Sequence, residues 1–179
     1  MSKINLSDLK GYLSRKKPAE LVSEILELYK LFKNVKEYYS KKLNPASEPD
    51  LIRKYKEIIA GEFIIGSSGH MKLRFSVMRK AIADFQKLSP TPESLADLML
   101  EVVERGVAFS NELGGISEAF YDSLTSMYRK VIRYINAHHL QSEFQERCKE
   151  VMEDSHDTGW GFGDEMEEIY EDNFPNPPP

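Results

Sequence analysis

Apolar positions recur every three or four residues along almost the whole chain, and no convincing period-two stretch appears, so the pattern predicts helices throughout. Leu6, Leu9 and Leu13 suit a short first helix with Ser7 near its start. Pro18 fits the first position of a second helix, where no N–H partner is lost, with Leu21, Ile25, Leu28 and Phe32 as its stripe. Val35 to Leu43 reads as a third, ending at Asn44-Pro45. Pro49-Asp50 introduces a fourth, with Leu51, Tyr55, Ile58, Ile59 and Phe63 on one face.

Gly66-Ser67-Ser68-Gly69 breaks the pattern and marks a loop. A fifth helix carries Met71, Phe75, Met78, Ile82 and Phe85 and stops at Leu88-Ser89-Pro90. Thr91 is the expected N-cap of the sixth, with Pro92 at its first position. That helix shows Leu95, Leu98, Met99, Val102, Val103 and Val107, and Gly114-Gly115 ends it. The seventh has the cleanest stripe, from Ile116 and Phe120 through Leu124, Met127, Val131 and Ile132 to Ile135. An eighth carries Leu140, Phe144, Cys148, Val151 and Met152. Short connections favour antiparallel neighbours, and no repeat persists. The expected fold is all-α, an irregular bundle of about seven or eight helices stacked as hairpins.

The character changes after Thr158. Glycine alternates with aromatics in Gly159-Trp160-Gly161-Phe162-Gly163, and Trp160 and Phe162 are expected to anchor this segment in a groove between helices. Acids then dominate up to a proline-rich end. The pattern reads as one domain over residues 1–163, followed by an acidic, Pro-ended and partly mobile tail over 164–179.

Composition narrows the class. The 179 residues are 41% hydrophobic and 30% charged, enough for a core in a soluble chain. No apolar run approaches the roughly 20 residues that cross a bilayer, so no membrane partner is expected. The opening residues lack the apolar stretch of a signal peptide, and one Cys148 allows neither an internal disulfide nor a four-Cys zinc site. These features point to the cytoplasm.

Charge is uneven. Residues 1–90 carry a net +8 and residues 91–179 a net −13, within a total of −5. Lys72, Arg74, Arg79, Lys80 and Lys87 give the fifth helix a basic side, the expected contact for an anionic partner. Opposite charges on two ends also permit a head-to-tail homo-oligomer.

Candidate chemistry is thin. Ser155-His156-Asp157 has the residue types of a hydrolase triad, but consecutive side chains diverge and cannot line up. Glu153-x-x-His156 has a di-iron spacing without the second copy such sites need. His138 and His139 close the seventh helix, where its dipole favours them. The Gly66–Lys72 segment lacks the spacing and strand of a phosphate loop. Cys148 lies on an apolar stripe, which suits a buried hydrophobe better than a nucleophile. An enzyme would have to gather Asn111, Glu112, Tyr121 and His156 in one cleft. No catalytic, metal or cofactor-binding residues are expected.

Several strings together resemble an uncharacterised bacterial family, a domain of unknown function. They are Leu6-Ser7-Asp8-Leu9-Lys10 with Tyr12-Leu13, Val35-Lys36-Glu37-Tyr38-Tyr39, Leu95-Ala96-Asp97-Leu98-Met99-Leu100, Gly106 to Glu112, Phe120-Tyr121, and Gly159-Trp160-Gly161-Phe162 with Asp164. The resemblance implies a compact helical protein and transfers no catalytic residues. The expected function is that of a non-enzymatic interaction or scaffold protein binding another protein. The alternative is a nucleic-acid-binding protein whose acidic tail competes with phosphate for the basic helices.

Overall fold

A computed structural model describes residues 4–44, 47–66, 69–88, 90–156 and 158–174. Among them the regular structure is nine helices, so the all-α expectation holds. Pro45, Ser67, Ser68, Ser89, Asp157 and residues 175–179 lie outside the described residues. Parts of the expected interhelix breaks, the third triad member and the end of the expected tail fall on them. The chain divides into two compact units, Met1–Ser47 and Glu48–Pro179, instead of one domain over 1–163 with a tail.

The first unit holds α1 (Leu6–Leu13), α2 (Pro18–Leu31) and α3 (Lys33–Leu43). Its helices start by local chemistry. Asn5 caps α1 through a reciprocal box with Asp8, each bond 3.0 Å, and Ser7 lies in its first turn. Pro18 opens α2, and the Glu20 carboxylate accepts the Lys17 N–H at 2.7 Å. Glu24 of α2 accepts the Tyr12 hydroxyl at 2.8 Å and pairs with Lys16, joining α1 to α2. None of the three helices has a buried residue. The expected stripe on α2 is therefore uncovered, with Ile25, Leu28 and Phe32 40–49% exposed.

The second unit is built round α6 (Pro92–Leu113), flanked by α4 (Glu48–Ala60), α5 (Phe75–Gln86), α7 (Glu118–Ala137) and α8 (Gln141–Glu153). Twelve residues of α6 are buried, and Leu98, Met99, Leu100, Val102 and Val103 are almost wholly shielded. Its start follows expectation, since Thr91 Oγ1 accepts the Ser94 N–H at 3.3 Å. Buried Glu48 in turn accepts the Thr91 N–H at 2.7 Å and hydroxyl at 3.0 Å, pinning the start of α4 to that cap. α5 begins at Phe75, later than its stripe suggests. Met71 instead forms an antiparallel bridge with Ile65, and Leu73 (φ 39°) turns the chain before the helix.

A ninth helix, α9 (Phe162–Asn173), replaces most of the expected tail. Phe162, Met166, Ile169, Tyr170 and the following Phe174 are buried, a helical stripe among acids that stay outside. The expected boundary at residue 163 therefore falls inside a helix that belongs to the core. The α9 helix packs on α7 and α8, and the Tyr121 and Phe162 rings lie 5.0 Å apart.

Two glycines set how closely these helices approach. A Cβ on Gly106 would stand 2.3 Å from Cδ2 of Leu124, in α7. One on Gly163 would stand 2.9 Å from the Ser155 carbonyl oxygen and 3.0 Å from His156 Cα. Gly106→Ala is expected to cost about 1–3 kcal/mol by overpacking, and Gly163→Ala more, because backbone rather than a side chain obstructs it. Urea unfolding checks this, with lower midpoints at an unchanged slope as the expected result.

Candidate functional site

Three of the five basic residues expected to meet an anionic partner are paired with this chain's own acids. Arg74 grips Glu62 with two bonds, Nε to Oε2 at 2.8 Å and Nη2 to Oε1 at 2.7 Å. Those bonds hold the nearly buried Glu62 carboxyl below its ordinary pKa. Lys80 and Lys87 both reach Asp84, at 2.5 and 2.8 Å, and lower its pKa too. Arg79 lies over the Phe75 ring at 5.7 Å, and Lys72 precedes the helix. All five are exposed, and Lys72 and Arg79 have no ion pair among the described residues.

Only one of the two expected anchors is one. Phe162 is 1% exposed, whereas Trp160 is 66% exposed and sits at φ 66°. The difference between the two rings has a local cause. Trp160 and Gly161 both take left-handed backbone in the turn that starts α9, and this directs the first aromatic outward and the second into the core.

The consecutive Ser155 and His156 diverge as their spacing requires. Ser155 is fully buried and its hydroxyl donates to the Met152 carbonyl at 2.6 Å, while His156 is exposed. Glu153 pairs with Lys149 at 3.2 Å. Among the described residues no group of three His, Cys, Asp or Glu is placed to hold a metal ion. His138 ends α7, its backbone N–H bonded to the Tyr134 carbonyl and its ring centred 4.2 Å from that tyrosine's, tilted by 38°. Cys148 is wholly buried in α8, and burial pushes its thiol up to about 12. The Tyr128 hydroxyl donates to its carbonyl at 2.7 Å, tying α7 to α8.

A pocket of about 330 Å³ opens where α6 ends, lined by Ser110, Asn111, Gly114, Gly115, Tyr121, Asp154, Thr158 and Gly159. It gathers two of the four residues an enzyme reading needs, Asn111 and Tyr121, and neither Glu112 nor His156 lines it. The Tyr121 oxygen accepts the Ile116 N–H at 3.2 Å and shares a hydrogen bond with Ser110 at 2.8 Å. Asn111 donates to the Asp154 carbonyl at 2.8 Å. These groups thus hold the α6–α7 turn and the end of α8 together. The Thr158 hydroxyl oxygen is buried without a partner among the described residues. The lining suits hydrogen bonding to a small polar molecule, because it presents a carboxylate, an amide and hydroxyls but no imidazole or thiol.

A second concavity of about 420 Å³ lies along α7, lined by Ser126, Arg129, Lys130 and Arg133. Their spacing of three, four and seven places them on one side of the helix, opposite its buried stripe. Arg129 reaches Glu165 of α9 at 3.1 Å, whereas Lys130 and Arg133 have no ion pair among the described residues. Sequence reasoning missed this ridge because it sits in the acidic half of the chain. Its signal was the pattern Arg129-Lys130-x-x-Arg133 on the polar face of the clearest stripe.

A family model described as a family of unknown function (DUF6155) matches residues 1–174, and the chain belongs to that family. No curated protein and no solved structure matches it.

Phe162→Ala is expected to cost about 3–5 kcal/mol. Trp160→Ala should stay within about 0.5 kcal/mol, as for an exposed position. Thermal melts of both variants check the pair, and a large loss from Trp160→Ala would place that ring in the core after all. Cys148 should resist a thiol reagent such as Ellman's at pH 8 and react once urea unfolds the chain, because a buried, neutral thiol is not a nucleophile.

Proposed function

We propose that this protein is a non-enzymatic interaction protein of the bacterial cytosol, and that its first unit is the element that engages a partner protein. One observation carries the reading. Helices α1–α3 bury no residue, yet Leu6, Val22, Leu26, Leu31 and Leu43 are each more than half exposed. Val22, Leu26 and Tyr29 share one side of α2 at helical spacing, the arrangement by which a helix fills an apolar groove. Apolar surface on this scale marks interaction sites, and a unit of 47 residues gains stability from a partner that covers it.

The unit holds ten Lys+Arg against five Asp+Glu, a net +5. The partner it fits is therefore a protein with an apolar groove rimmed by carboxylates. Aliphatic side chains on the exposed faces favour a protein over a phosphate backbone, which is gripped by cations. Three of the five basic residues that suggested nucleic acid, Arg74, Lys80 and Lys87, are engaged with Glu62 and Asp84, which weakens their support for that alternative. Cys148 and Ser155, both enclosed, lend nothing to a catalytic reading. No described helix is long and apolar enough to cross a membrane.

The test is affinity capture from the native cell with the wild-type chain and with Val22→Glu/Leu26→Glu, followed by binding of the purified captured protein to each. Both substitutions lie on exposed positions, so circular dichroism should not change. The expected result is one protein held by the wild type and released by at least tenfold by the variant. Equal retention by both chains, or capture of nucleic acid alone, would overturn the reading.

A further inference from the structure

The acidic half of the chain, residues 91–179, has six basic residues. Arg105, Arg129, Arg147 and Lys149 are each paired with a carboxylate of the same chain. Lys130 and Arg133 have no such partner among the described residues, and both are exposed. They stand on the α7 ridge with Arg129 and Ser126. Asp122, one turn before Ser126, marks the end of the ridge.

Beside it runs a ridge of opposite sign. Glu165, Glu168 and Asp172 follow one another at spacings of three and four along α9. Glu168 and Asp172 are exposed and have no ion pair among the described residues, and Asp164 and Glu171 stand next to them on the solvent side. The Arg129–Glu165 bridge joins the two ridges where they meet. Asn136 of α7 and Asn173 of α9 form a second contact at 3.3 Å. The two contacts, 129 with 165 and 136 with 173, show that α7 and α9 run parallel.

We infer that this bipolar face pairs with the same face of a second copy, the basic α7 ridge of each chain lying against the acidic α9 ridge of the other. A two-fold axis directed along the helices achieves this. It sets α7 over the partner's α9 twice and never sets like over like, as an isologous contact requires. The competing occupant of the basic ridge, a nucleic-acid backbone, would bring its phosphates against Glu168, Asp172 and Glu171. Like-charge juxtaposition of that kind disfavours it. Two parallel helices about 10 Å wide over the roughly 18 Å length of α9 offer ~400 Å² per partner, the small, charge-steered end of protein interfaces. The contact is accordingly weak and salt-sensitive. This contact lies on the second unit and does not depend on the one proposed for the first.

Sedimentation velocity at protein concentrations up to about 0.5 mM tests the inference at about 20 mM and 500 mM salt. The wild-type chain is expected to reach the mass of two chains at low salt and to return to one at high salt. Lys130→Glu/Arg133→Glu makes both ridges acidic, and Glu168→Lys/Asp172→Lys makes both basic, so each variant alone should remain a single chain. Mixed one to one, the two variants should pair, because each then offers the ridge the other has lost. All these positions are exposed, and unchanged circular dichroism certifies the folds. Val22→Glu/Leu26→Glu should leave the pairing intact, which keeps this result separate from that of the first unit. A wild type that stays single at low salt, or a mixture that fails to pair, would overturn the inference. So would a 20-base-pair DNA duplex that binds the wild type, but not Lys130→Glu/Arg133→Glu, while the protein stays single.

Discussion

The second unit depends on the enclosure of α6. A helix covered from several sides must be apolar round much of its circumference, and Leu95 to Val103 is nearly continuous in Leu, Ala, Met and Val. Asp97 and Glu101 interrupt that surface and Glu104 follows it, and each is met by a cation from a neighbouring helix. Lys56 of α4 reaches Asp97 at 2.9 Å and Glu101 at 3.0 Å. Arg147 of α8 reaches Asp97 at 2.9 Å and Glu104 at 2.8 Å. Burial by itself lowers the pKa of Lys56, yet the two carboxylates overcome it and hold the ammonium charged. Leaving one member unpaired would strand a half-buried charge, so the network fixes which faces of α4 and α8 turn toward α6 as firmly as the apolar contacts do.

That constraint explains which parts of the fold were readable from the sequence. The stripes of α6 and α7 were plain because almost every apolar residue on them is covered, and Thr91 was identifiable as a cap because its chemistry is local. The α9 helix was hidden. Its apolar positions, Phe162, Met166, Ile169 and Tyr170, have helical spacing, but dense acids and the preceding glycines suggested a tail. The choice between Trp160 and Phe162 was also out of reach. It depends on left-handed backbone at two successive residues, and nothing in the alternation of aromatics and glycines says which ring turns inward.

The first unit shows the opposite failure. Leu21, Ile25, Leu28 and Phe32 form as regular a stripe as those of the core, yet the helix that carries them has no buried residue. Periodicity records which side of a helix is apolar, not whether anything covers it. The division at Ser47/Glu48 falls in the break between the third and fourth stripes, and nothing in the pattern sets that break apart from the others between helices.

Charge counted along a chain is a poor guide to charge on a surface. The basic half looked like an anion-binding face, but many of its cations meet acids one turn away or across a short loop, as Lys80 and Lys87 do with Asp84 and Arg74 with Glu62. The acidic half looked uniformly repulsive to anions, yet its cations are few enough for two unpaired ones to stand out on α7. A surface with opposite ridges side by side recognises its own copy better than it recognises a uniform polyanion. Two chains paired in this way would carry two copies of the exposed N-terminal unit, so a partner with two grooves would be held by avidity even where each contact is weak.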